Sequence, residues 1–178
     1  MDVSLGLEDT HVLVTGGAGL IGSKVVEAFL AAGALVTSVD ISHNPDDPQD
    51  EKSRLLKLHV DTTNEESLFH AFELSFLKHG PIQVCVALAA LDLSVLEHHE
   101  SLADMSVEQF RRTIDVNVTG TFLTARQWLR GLKFSKENHR ESLRNVSLII
   151  VGSESGHWSV SERFLNHLVR YLYFEGLG

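Results

Sequence analysis

Three glycines recur at intervals of three, Gly16, Gly19 and Gly22, in the run Val12-Leu13-Val14-Thr15-Gly16-Gly17-Ala18-Gly19-Leu20-Ile21-Gly22. An apolar run leads into them and a helical pattern leads out. Glycines there let the backbone turn tightly and come close to a bound anion, while the start of the following helix offers free N–H groups and the positive end of its dipole. The chemistry this suits is the binding of a pyrophosphate, with Thr15, Gly16, Gly17, Gly19, Leu20, Ile21 and Gly22 as candidate contacts. The spacing is Gly-x-x-Gly-x-x-Gly rather than the Gly-x-Gly-x-x-Gly of the common dinucleotide fingerprint. A bare turn with no ligand is the alternative reading.

Two acids stand where such a ligand would extend. Asp40 closes the next apolar run, 18 residues after Gly22. A carboxylate there accepts hydrogen bonds from ribose hydroxyls and repels a 2′-phosphate, which favours NAD over NADP. The alternative is an Asp that opens a turn. Asp61 ends the third run before Thr62-Thr63 and suits either an adenine amino group or the start of a helix.

Positioning these groups requires strands alternating with helices. Apolar runs fall at His11–Val14, Leu35–Val39, Leu55–Val60, Ile82–Ala90 and Val146–Val151. Between them lie helical patterns. The first, Leu20 to Ala32, is stopped by Gly33. The second starts at a Thr63/Glu66 capping box, carries Leu68, Ala71, Phe72 and Phe76, and is stopped by Gly80-Pro81. The third starts at a Ser106/Gln109 capping box and shows Phe110, Ile114, Thr121, Ala125 and Trp128 on one face. This order predicts an α/β fold with a Rossmann-like, doubly wound parallel sheet of about five strands. The run Ile82–Ala90 is almost wholly apolar, as suits a strand covered on both faces.

Composition limits the functions. The chain has 178 residues, 43% of them hydrophobic and 22% charged, with a net charge of −9. That argues against a nucleic-acid partner and gives no attraction to anionic lipid. The single cysteine, Cys85, lies in an apolar run and reads as a small buried hydrophobe. Neither a signal peptide nor an apolar run long enough to span a membrane is legible, so the expected location is cytoplasmic. Ten histidines include the adjacent His98-His99, but no pair at metal-ligand spacing has carboxylate support, and no metal is expected.

These residues together resemble the short-chain dehydrogenase/reductase family. Thr15 to Gly22 resembles the glycine pattern of its extended members, Asp115-Val116-Asn117-Val118-Thr119-Gly120-Thr121-Phe122 its central helix, and Ser147 to Gly156 its fifth strand and catalytic-serine turn. The likeness covers residues 8–157, a nucleotide-binding domain, and leaves 158–178 as a divergent tail. It implies a nicotinamide cofactor, an alcohol or carbonyl substrate, and room for a homo-oligomer. It also implies that Asn117 organises a proton relay and that Ser153 holds the substrate oxygen. From the residues alone, Asn117 is a buried amide in need of partners and Ser153 a strand-end serine. Ala89, in Ala87-Leu88-Ala89-Ala90, stands where the family has Asn-Asn-Ala-Gly, and its small side chain permits close approach to the cofactor.

The family's Tyr-x-x-x-Lys is missing. Position 166 is Asn166, four residues before Arg170; Tyr171 and Tyr173 are followed four residues on by Glu175 and Leu177; and no lysine follows Lys136. Arginine does not titrate in the useful range and an amide is no acid or base. After Trp158, Phe164, Leu165, Leu168, Val169, Tyr171 and Leu172 recur at helical spacing, which reads as a packing helix, with the place of the family's active-site helix as the alternative. The family's last strands are absent, so Val146–Val151 should form a half-covered edge. The expectation is an oxidoreductase by family, inactive as written, with a non-catalytic dinucleotide binder or a truncated fragment as alternatives.

Overall fold

The computed structural model describes residues 5–46, 50–91, 105–138 and 143–152. Ser153, the boundary at 157/158, His98-His99 and the tail pattern with Tyr171 lie outside them. The element order is β1 (His11–Thr15), α1 (Leu20–Ala31), β2 (Leu35–Asp40), β3 (Leu55–His59), α2 (Glu65–His79), β4 (Val84–Ala87), α3 (Val107–Ile114), a π-helical turn (Asp115–Gly120), α4 (Thr121–Asn138) and β5 (Ser147–Ile150). All strand pairs are parallel, in the order β3-β2-β1-β4-β5. A sheet whose order reverses beside β1 leaves a crevice at the strands' C-terminal ends between β1 and β4, which is where open α/β sheets bind ligands.

The period-2 alternation of side chains sends the central strands to two cores. Val12, Val14, Val36, Val84 and Val86 pack with Val26 of α1 on one face. Leu13, Val39 and Cys85 pack with Leu68, Ala71 and Phe72 of α2 and with Leu123 and Trp128 of α4 on the other. Cys85 is fully buried, and burial drives its thiol pKa far up, so it behaves as a packing residue. Trp128 donates its indole N–H to the Ile82 carbonyl at 3.0 Å, tying α4 to the foot of β4.

Three local expectations are corrected. Asn64, not Thr63, caps α2: its side chain accepts the Ser67 N–H at 2.9 Å. Thr63 cannot do so because both its N–H and its hydroxyl donate to one oxygen of Asp61, at 2.9 and 2.7 Å. Strand β4 covers Val84–Ala87 rather than Ile82–Ala90, because the N–H groups of Leu88 and Ala89 leave the ladder for the Thr15 hydroxyl. The long helix is interrupted by its π-helical turn, which shifts the apolar stripe. Phe110 is exposed as a result, whereas Thr121, Ala125 and Trp128 are buried. The Ser106/Gln109 capping box forms with both of its reciprocal bonds.

Strand β5 is the edge of the described sheet. Leu148 packs toward the α4 side, whereas Ile149, in register with Val86, is 42% exposed on the α1 side. No described helix is long and apolar enough to cross a membrane.

Candidate active site

The site begins at Thr15, the last residue of β1. Its buried hydroxyl accepts the N–H of Leu88 at 3.0 Å and of Ala89 at 3.1 Å, which draws the segment after β4 up against the glycine turn. Gly16 then takes φ +69°, and a Cβ on it would lie 2.9 Å from both the Cα and the N of Ala89. Both the left-handed backbone and the contact with a neighbouring main chain require glycine there. A Cβ on Gly22 would come 2.0 Å from the Gly16 carbonyl oxygen, so the third glycine lets α1 close onto the turn. Gly19 is different. A Cβ there meets only the Gly16 carbonyl oxygen, at 3.2 Å.

Helix α1 has no side-chain cap at Gly19 and no acid in its first turn. Helices α2 and α3 are both capped by side chains and carry acids there. The N-terminus of α1 therefore presents its first backbone donors without a side-chain cap or an acid of its own first turn, which suits an anion. Leu20 and Ile21 beside it are exposed, at 89% and 66%.

Asp40 reaches into this turn. One carboxylate oxygen accepts the Ala18 N–H at 3.0 Å and the other the Ser42 N–H at 2.8 Å. Each oxygen keeps a further lone pair, so a carboxylate in this position can still accept from a ribose. Asp61 lines the same groove, with one oxygen engaged by Thr63. Of the two sequence readings of Asp61, that geometry builds the turn into α2. The groove has a volume of about 590 Å³ and brings together Gly16, Asp40, Asp61 and Ala89. A larger apolar space of about 830 Å³ lies between α2 and α4, lined by residues such as Phe69, Leu77 and Phe134. It touches none of the glycine-turn residues and neither Asp40, Asp61 nor Asn117.

Asn117 sits in the π-helical turn, half-buried, at the C-terminal end of β4. Its side-chain oxygen accepts the Leu91 N–H at 2.7 Å and its amide donates to the Leu91 carbonyl at 3.1 Å. This two-pronged bond fixes the strand-end segment that carries Ala89 and lines the groove. Sequence reasoning found Asn117 but not Leu91, because a backbone partner leaves no side-chain signal. It also missed Ser38, whose buried hydroxyl bonds His43 at 2.8 Å directly under Gly17.

A doubly wound parallel sheet with a glycine turn at its central strand, an uncapped helix and an acid at the end of β2 is a Rossmann-type fold with its ligand crevice formed. Residues 10–163 match the family model of short chain dehydrogenases, and the chain belongs to that family. It is similar to zerumbone synthase of Zingiber zerumbet, 28% identical over 154 residues, which cover 83% of this chain and 55% of that protein. It is also similar to the uncharacterized oxidoreductase YuxG of Bacillus subtilis, 30% identical over 152 residues that cover 80% of this chain and 20% of that protein. The chain thus spans about half the length of the first of these relatives and less of the second. Among solved structures, a short-chain type dehydrogenase/reductase from Mycobacterium ulcerans superposes with a TM-score of 0.76 at 24% identity, covering 96% of this chain and 64% of the other. A short chain dehydrogenase from Leptospira borgpetersenii with bound NAD+ superposes with a TM-score of 0.69 at 23% identity, covering 94% of this chain and 67% of the other. At these identities the superpositions establish the fold.

Proposed function

We propose that the groove binds a nicotinamide dinucleotide, NAD in preference to NADP, and that the chain is an oxidoreductase by descent that does not complete hydride transfer as written. The observation that carries the binding is the juxtaposition of left-handed Gly16, packed on the Ala89 backbone, with the uncapped start of α1. The donors of that helix would take the pyrophosphate, with Gly19 leaving them room to approach it. Asp40 would accept from the adenosine ribose while holding the Ala18 N–H in place. Bound nicotinamide supplies the hydride acceptor in this family. This chain's own residues must then supply the proton transfer and hold the alcohol or carbonyl substrate.

That second half is where the sequence departs from its family. Asn117 is present and anchored to Leu91, and Ser153 matches the serine that would hold the substrate oxygen. No Tyr-x-x-x-Lys accompanies them. General acid–base assistance is worth about 10²–10⁴-fold in rate, and Tyr171 is the one tyrosine offered as a substitute. It lacks a lysine four residues on to bring its pKa down from roughly 10. A cytoplasmic chain that can form a homo-oligomer completes this reading, and the net charge of −9 argues against a nucleic-acid partner.

The test is calorimetric titration of the chain with NAD and NADP, followed by a screen of alcohols and ketones at the NADH absorbance. Binding without turnover is expected. Turnover that disappears in Tyr171→Phe would show that tyrosine to be a relocated acid/base and sink the inactive reading. Absence of dinucleotide binding in a folded protein would sink the binding reading as well.

A further inference from the structure

Arg111 and Arg112, in the second turn of α3, line the same groove as Gly16, Asp40 and Asp61. Ile41, exposed just past Asp40, lines it as well. Neither guanidinium has a hydrogen-bond or ion-pair partner among the described residues. That is unexpected from their spacing. Glu108 precedes Arg111 by three residues and Arg112 by four, and Asp115 follows Arg111 by four, all separations at which helix ion pairs close. Three arginines elsewhere in the fold do pair: Arg54 with Asp9 at 2.7 Å, Arg126 with Glu65 at 2.6 Å and Arg130 with Glu65 at 3.7 Å. In a chain of net charge −9, two adjacent cations without a partner among the described residues stand in the groove that also holds Gly16, Asp40 and Asp61.

The direction of the ligand follows from the anchors. A pyrophosphate at the start of α1 and a ribose at Asp40 leave the base to continue away from Gly16, past Asp40 and Asp61, into the part of the groove bordered by Ile41 and α3. An aromatic base there would share the groove with an aliphatic side chain, Ile41, and two guanidinium groups. A guanidinium is planar and weakly hydrated and stacks on a π-face, which an ammonium does not do in the same way.

We propose that Arg111 and Arg112 are binding residues for the adenine ring, holding it through their guanidinium planes against Ile41. This rests on the dinucleotide reading of the groove and deepens it. No contact to the nicotinamide half is implied.

The test uses the full chain and two half-ligands, ADP and nicotinamide mononucleotide, titrated into wild type, the Arg111→Leu/Arg112→Leu double variant and the Arg111→Lys/Arg112→Lys double variant. Both arginines are exposed, and a thermal melt of each variant verifies folding. In the leucine variant ADP affinity should fall by about five- to thirtyfold, the sum of two exposed cation–π contacts, while nicotinamide mononucleotide affinity stays unchanged. The lysine variant should not recover the loss. Unchanged ADP affinity in a folded leucine variant would overturn the proposal while leaving the dinucleotide reading standing. Full recovery by lysine would overturn the planar contact in favour of charge alone. Failure of wild type to bind ADP at all would remove both the proposal and the reading beneath it.

Discussion

The two ends of β1 carry a buried polar residue each and use it in opposite ways. At the N-terminal end, the His11 ring sits between the Gly80 carbonyl, 2.8 Å from Nδ1, and the Thr37 hydroxyl, 3.0 Å from Nε2, while the His11 N–H donates to the Gln83 side chain at 2.8 Å. The carbonyl can only accept, so Nδ1 carries the proton and the Thr37 hydroxyl donates to Nε2. Both ring nitrogens and the main-chain N–H of His11 are matched within the fold, and β1, β2 and the end of α2 are locked together. At the C-terminal end, Thr15 also satisfies its neighbours, but only to bring Ala89 up to Gly16; the donors at the start of α1 are left with no side-chain cap. One end closes its hydrogen bonds to hold the sheet, and the other leaves donors open where a ligand would complete them. Stability and binding are thereby separated along one five-residue strand, and mutations can address them separately.

The largest effect is expected at Gly16. Gly16→Val forces a branched residue to φ +69° and drives its Cβ into the Ala89 main chain. The left-handed backbone costs about 1–2 kcal/mol and the overpacking about 1–3 kcal/mol, so both the melting temperature and dinucleotide binding should collapse. Gly19→Val sharpens the contrast. The backbone is extended, with φ −68° and ψ 171°, and the nearest contact is 3.2 Å. The fold should survive while binding is lost to the side chain standing over the helix N-terminus. Equal loss of stability in the two variants would show that Gly19 serves the turn and not a ligand.

How legible this was from the sequence divides along the same line. The glycine turn, Asp40 and the alternation of strands and helices were readable because they are local: glycine spacing, apolar period and an acid at a strand end all lie within a few residues of one another. What was not readable is made by partners distant in sequence. Asn117 meets Leu91 across 26 residues, and His11 meets Gly80 across 69. The Thr63/Glu66 capping box was a reasonable pattern, lost because Asp61 competes for the same threonine. The π-helical turn at Asp115–Gly120 has no periodic signature, so the exposure of Phe110 could not be anticipated.

The next effect belongs to the closed end. Burial pushes the His11 pKa down from 6.5 to about 4; the Gly80 carbonyl opposes this and the nearby His79 ring, 5.2 Å away, adds to it. The unfolded chain therefore takes up a proton between pH 6.5 and about 4 that the folded chain does not. The stabilisation is complete above pH 6.5 and is lost as pH falls toward 4, reaching roughly 3 kcal/mol at the acid end. His79 is lowered as well, chiefly by burial and then by Lys78 and Arg54, and its Nε2 has no hydrogen-bond partner among the described residues, so it acts in the same direction. Urea titrations at half-unit steps of pH should show the midpoint falling through this window. A flat profile between pH 6.5 and 5 would contradict the neutral, buried His11.

A smaller loss is expected when the open end is altered without changing its shape. Thr15→Val keeps the β-branched outline but removes the oxygen that accepts two N–H groups, those of Leu88 and Ala89. An unsatisfied buried donor costs about 1–3 kcal/mol, and the segment after β4 should drift from Gly16. Stability should drop by about 2 kcal/mol, with weaker dinucleotide binding. If binding weakens without a change in the urea midpoint, Thr15 acts on the ligand directly and not through Ala89.

The smallest effect is the most specific, and it concerns Asp40 alone. Its two oxygens accept from Ala18 and Ser42, so the carboxylate is fixed beside the turn by backbone donors. A 2′-phosphate brought to that position would face a fixed negative charge, while a 2′-hydroxyl would face an acceptor. The expected preference is about tenfold for NAD, equivalent to roughly 1.4 kcal/mol. Asp40→Asn removes the charge but keeps one oxygen, which can serve either Ala18 or Ser42 but not both. NAD affinity should therefore fall a few-fold through a loosened turn. NADP affinity should hold or rise because the repulsion is gone, and the ratio should approach one. Calorimetric titration of both cofactors into both proteins checks the two changes separately. A ratio that stays near ten in the asparagine variant would place the discrimination elsewhere in the groove and return Asp40 to the role of a turn-forming residue.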